Sequence, residues 1–191
     1  MPKAKLSKNG VFLQFRLAKC KNRFAFYISC YNPKVFMSEP QLIETWQINH
    51  RVNLYLLDAM TPAQLDSRLV SKGRSAAEQF AHIHNVRLMW LKEALPEALA
   101  ALTKIEKETA ADKTLLQKSL TASGEAISGL LAKAIEQNGK VKGFKPHVTA
   151  FLGYLVAHEA HHRSQIILAL KQAGNPLEKK ILFGIWEWGV R

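Results

Sequence analysis

The chain has 191 residues, 48% of them hydrophobic, enough for one domain with a substantial core. No apolar run reaches the roughly 18–20 residues that a bilayer span needs, so no membrane partner is expected. The formal charge of +12 suggests nucleic acid until it is located. Of 27 Lys and Arg residues, eight lie in residues 1–36, which contain no Asp or Glu, so residues 37–191 carry 19 bases against 15 acids, a net +4. That body is nearly balanced, and no nucleic-acid partner is expected for it.

Both cysteines, Cys20 and Cys30, fall in the basic segment. A cysteine-free remainder needs no disulfides and fits the reducing cytoplasm, the expected location. Residues 1–36 read three ways: an upstream extension or mis-assigned start, a targeting leader, or a basic arm for nucleic acid or membrane. The first is favoured, because Met37-Ser38-Glu39-Pro40 reads as an ordinary start followed at once by helical periodicity. Two parts are therefore expected, a basic N-terminal extension outside the fold (1–36) and a helical domain (37–191).

Ser38 is the expected cap of a first helix, with Pro40 in its first turn. Leu42, Trp46, Val52, Leu56 and Leu57 carry that helix to about Met60, and Thr61-Pro62 stops it. Ser75 with Glu78 three residues on makes a capping-box pattern, opening a second helix that runs to about Leu95, before Pro96. A third helix spans about 112–137 and ends at Asn138-Gly139. A basic loop, Lys140–Lys145, leads through Pro146 to a fourth helix over about 147–173, ended by Gly174-Asn175-Pro176. The aromatic tail Ile181–Arg191 is expected to fold back over one end. No repeat, low-complexity tract or strand stands out, so the class is all-α, an antiparallel four-helix bundle.

The fourth helix holds AHEAHHRSQ over residues 157–165. Phe151, Leu155, His158, His162, Gln165 and Ala169 recur in alternating steps of four and three, the inner seam of a bundle helix. Two imidazoles one turn apart on such a seam can reach a single ion, and buried without a partner they would lose solvation. An HxxxH pair alone is a weak signal, since most are surface or hydrogen-bonded core histidines. His161 flanks the seam, and the same count turns Glu159 away from it toward solvent. The second helix offers FAHIH, where His82 and His84 differ by roughly 200° and cannot both face one ion. Periodicity does not choose between them; His50 and His147 are further candidates.

QFAHIHNVRLMWL, then YLVAHEAHHRSQIILALKQAG, then GIWEWG together resemble the DinB/YfiT-like family of four-helix metal proteins, distinct from the DNA polymerase of the same name. The resemblance covers about Met37 to Arg191 and is carried by His82, His158 and His162, with Arg163 and Gln165 completing the local HxxxHRxQ signature. It selects His82 over His84 and implies a three-histidine site for a divalent metal, zinc, nickel or iron. Three neutral imidazoles leave coordination positions open, as catalytic sites do. The family includes thiol S-transferases, so the resemblance implies an enzyme that activates a low-molecular-weight thiol for transfer to an electrophile. A metal-dependent hydrolase and a non-catalytic, stress-related metal-binding module are the alternatives.

In that scheme Gln165 hydrogen-bonds a ligand or metal-bound water and Arg163 holds an anionic group, against the plainer roles of core amide and cross-bundle ion pair. Arg87 holds a substrate carboxylate or forms a structural salt bridge, and Trp186 and Trp188 roof the pocket or pack the bundle end. A homodimer is the expected assembly.

Overall fold

The structure, a computed structural model, describes residues 39–70 and 73–191. The Ser38 cap and every expectation for residues 1–36 fall outside them. Four long helices form the domain: α1 (Glu39–Asp58), α3 (Ala76–Ala94), α4 (Lys113–Glu136) and α5 (Val148–Gln172), with short α2 (Pro62–Leu65) and α6 (Lys179–Gly184) beside them. The capping signals act where the residues place them. Thr61 caps α2 in a capping box with Gln64, Ser75 caps α3 in a box with Glu78, and Asp112 caps α4. No helix among the described residues is long and apolar enough to cross a membrane.

α1 and α3 stand diagonally opposite, each packed along both α4 and α5. Cross-helix bonds fix the directions. Trp46 meets Gly124 while Gln117 meets Asp58, so α1 and α4 are antiparallel. Gln79 meets Gln165 while Arg87 meets Glu159, so α3 and α5 are antiparallel as well. The other two pairs run parallel: Asn49 and Asn53 reach Glu159 and Arg163, and Arg87 and Glu97 reach Ser123 and Lys133. The four-helix bundle thus has up-down-down-up order. The link over residues 95–112 makes this possible, since a chain of that length can return along the roughly 28 Å of α3.

A short hairpin stands where a plain loop was expected. β1 (Lys140–Val141) pairs antiparallel with β2 (Phe144–His147) around Lys142-Gly143. Two and four residues are too few for alternation to register, and Pro146 argues against a strand in sequence. Gly143 has φ +80, the left-handed region that favours glycine, so the turn selects it.

The apolar core is divided in two. One cluster gathers Leu56, Phe80, Ile83, Leu116, Leu120 and Ile166. The other gathers Trp46, Leu91, Ile127, Leu131, Phe151 and Leu155. Between them each long helix contributes buried polar residues: Asn49, His50 and Asn53 from α1, Arg87 from α3, Ser123 from α4, and Glu159 and Arg163 from α5. The C-terminal tail folds back onto α1, as Arg191 lies over the Tyr55 ring at 3.7 Å and accepts from Arg51 at its carbonyl.

Candidate metal centre

The capping box at Ser75, reinforced by Arg68 donating twice to Glu78 (2.7 and 3.1 Å), fixes where α3 begins. His82 then lies opposite His158 and His162. One ligand nitrogen from each of the three falls within 4.8 Å of the others. The Nε2 atoms of His158 and His162 are 3.1 Å apart, close to the roughly 3.3 Å separating two nitrogens on one tetrahedral ion. Three neutral imidazoles converging this way match the donor set of a divalent metal with positions left open.

The protonation pattern suits metal binding. His162 Nδ1 sits 2.7 Å from Gln79 Oε1, an atom that only accepts, so Nδ1 carries the proton and Nε2 keeps a lone pair aimed at the cluster. The amide is itself oriented: Gln79 Nε2 donates to Gln165 Oε1, and Gln165 Nε2 donates to His161 Nε2 (2.7 and 2.8 Å). All three bonds point one way, from His162 outward to His161. Burial, reinforced by the neighbouring imidazoles and by Arg74, pushes the His162 pKa down to about 3. Burial and Arg74 push His82 down to about 4, and burial also lowers His158. All three are neutral at ordinary pH. Tyr154 stacks on the His158 ring (6.0 Å) at the end of an aromatic column with Trp90, Phe144 and Phe151.

The remaining histidines have other work. His84 is fully buried and bonds Thr103 O through Nε2 (3.0 Å), next to Asn85, which exchanges two hydrogen bonds with Ile105. Together they tie down the α3–α4 link. His50 accepts from Arg87 and stacks on Trp46, and burial pushes its pKa down to about 3. His147 caps α5, accepting from Ala150 N.

Glu159 overturns the expectation of a solvated side chain. It is 1% exposed, and its carboxylate accepts from Asn49 and Asn53 (2.6 Å each) and twice from Arg87 (2.7 and 3.1 Å). A seam count treats one narrow stripe as the interior, but α5 packs against both α1 and α3, so a second stripe, 155-159-162-166, is buried too. Arg87 forms the structural salt bridge. Arg163 turns into this network, donating to Asn53 Oδ1 (2.7 Å). Gln165 reaches the cluster through Gln79. Trp186 is 76% exposed, and the tail's ties run to α1.

Gln79, Asn49 and Asn53 escaped sequence reasoning. Gln79 stands three residues before His82, and Asn49 and Asn53 are four apart on an apolar helix, spacings that mark shared faces. Beside the cluster, His82 lines a cavity of about 620 Å³ with Arg74, Asn85, Lys104, Glu106 and Lys107.

A four-helix bundle with three histidines converging between two of its helices is the architecture of a candidate bundle-core metal protein. The chain belongs to the DinB family, whose model matches residues 32–179. No curated protein and no solved structure matches it.

Proposed function

We propose that His82, His158 and His162 hold a divalent metal, zinc, nickel or iron, and that the protein is an enzyme activating a low-molecular-weight thiol for transfer to an electrophile. The observation that supports this most is the convergence of three neutral imidazole nitrogens within 4.8 Å with no carboxylate or thiol among them. Such a set holds an ion without closing its coordination sphere. A bound divalent ion supplies positive charge that favours deprotonation of a thiol or a water placed on it.

The chain's own contributions are specific. Gln79 holds the His162 tautomer, and Gln165 and His161 hold Gln79. The partly exposed His82 and His158 give the site its access to small molecules, while His162 is buried. In the overall reaction the thiol loses its proton, sulfur forms a bond to the electrophilic carbon, and the leaving group departs with its electron pair. This reading places the work in the cytoplasm, on small molecules, in a homodimer.

Elemental analysis of the full chain beside His82→Ala, His158→Ala and His162→Ala is the direct test. Near-stoichiometric divalent metal is expected in the parent, with strong loss in each variant. Full retention in His82→Ala would remove His82 from the site. With metal present, turnover of an aryl halide that requires added thiol supports the transferase; turnover of an ester with no thiol present would favour a hydrolase instead.

A further inference from the structure

Resting on the metal reading above, we infer that the ligand of this site carries a carboxylate, held by Arg74 at the mouth of the cavity beside His82. A divalent ion on three neutral imidazoles keeps its whole double charge, since no ligand neutralises it. Among the described residues, besides His161 and the three imidazoles themselves, the side chains acting electrostatically on the cluster are Arg74, which acts on all three histidines, and Glu159, which acts on His158. Glu159 is already committed to Arg87 at 2.7 Å. The centre is therefore cationic without internal compensation, and Arg74 adds to the imbalance.

The cavity wall gives the same count. Lys104 is paired with Glu106 at 3.0 Å, and Lys107 stands 3.9 Å from Glu78, which Arg68 also holds. Arg74 has no ion pair or hydrogen bond among the described residues. With Arg68 counted, four positive charges (Arg68, Arg74, Lys104 and Lys107) face two carboxylates (Glu78 and Glu106), so the wall is net positive and Arg74 is its cation without a partner among the described residues. A net-positive wall beside an uncompensated divalent ion favours an anionic group on the ligand. A guanidinium also presents a fork of donors that fits a carboxylate with two bonds. With about 620 Å³ lined by both His82 and Arg74, the cavity has room for a small molecule with one end at His82 and its carboxylate on Arg74.

Two thiols of equal length test this: 3-mercaptopropionate, and 3-mercapto-1-propanol, which lacks the charge. Each is titrated calorimetrically into the zinc-loaded full chain, Arg74→Gln and Arg74→Lys, with zinc content measured on the same samples. The parent should bind the carboxylate thiol about tenfold more tightly, the lower end for a hydrogen bond to a charged group. Arg74→Gln should erase that preference while leaving the neutral thiol unchanged, and Arg74→Lys should restore part of it. Equal affinities in the parent, or a preference that survives Arg74→Gln, overturn the inference. If the chain takes up no zinc, the metal reading falls by itself. An affinity for 3-mercaptopropionate that still depends on Arg74 in that protein keeps the anion site, and its absence overturns the anion site too.

Discussion

Replacing Glu159 with leucine should cost as much stability as a large-to-small truncation in the apolar clusters, although it leaves no cavity. The carboxylate takes two hydrogen bonds from Arg87 and one each from Asn49 and Asn53, and Arg87 is 0% exposed. Leucine fills the volume but leaves these four bonds unmade. Arg87 keeps only the Leu120 carbonyl (3.0 Å), His50 (3.3 Å) and Ser123 (3.4 Å), none of them charged. Arg163, itself buried, loses the one carboxylate acting on it among the described residues. Stranding a buried charge in this way costs about 3–5 kcal/mol. Against a total of roughly 5–15 kcal/mol, that brings the protein near its unfolding threshold and lowers Tm by roughly 10 °C.

Urea unfolding followed by circular dichroism, with chelator present so that metal binding contributes nothing, gives the number. The double variant Glu159→Leu, Arg87→Met removes the fully buried pair and should recover part of the loss, with Arg163 still without its carboxylate, because replacing both partners of a buried pair is far less costly than removing one. A Glu159→Leu loss below about 1 kcal/mol, or a double variant less stable than the single, would refute the claim that the carboxylate's partners are what make it indispensable.

Gln79→Leu removes the acceptor that sets the His162 tautomer and should weaken metal affinity about 10–100-fold with little change in helicity, read by competition with a chromophoric chelator. His84→Ala should keep full metal content while losing about 1–3 kcal/mol in urea unfolding, since it frees the Thr103 carbonyl and leaves a void. Gly124→Ala would place a Cβ 2.5 Å from His50 Cε1 in the core, and a loss of about 1–3 kcal/mol in thermal unfolding is expected. Ser75→Ala should cost about 1 kcal/mol by the same measurement, through the cap of the helix that carries His82.

The four helices were legible in the sequence because their signals are local. Ser75, Asp112, Asn138-Gly139 and Gly174 act within a few residues of where they stand, and the 3.6-residue period needs only one helix to be seen. Helix direction is different: nothing within α3 or α4 says that they run parallel, since that depends on the path of the link over 95–112. The histidine seam was half legible. Spacing singled out His158 and His162, but choosing His82 required knowing which face of α3 meets α5. His84 illustrates the difficulty, since it is the more buried of the two and lies on the face that closes over the link.

The buried polar layer was the least legible feature, and its position explains why it is tolerated. A carboxylate and two guanidiniums inside a bundle gain little net stability over apolar residues of equal volume. Their bonds, however, are directional where apolar contacts are not. Glu159 receives donors from α1 and α3 while belonging to α5, so one side chain fixes the mutual register of three helices. It sits next to His158 in the chain, and Arg87 follows His82 by five residues on α3. The three histidines depend on α3 and α5 holding one register, because a slip of one residue along α5 would turn His158 and His162 by about 100°. Apolar contacts across that interface, being non-directional, would survive smaller shifts with modest loss. The Arg87–Glu159 bonds would not, and this makes the polar layer the element that keeps the ligand nitrogens within reach of one another.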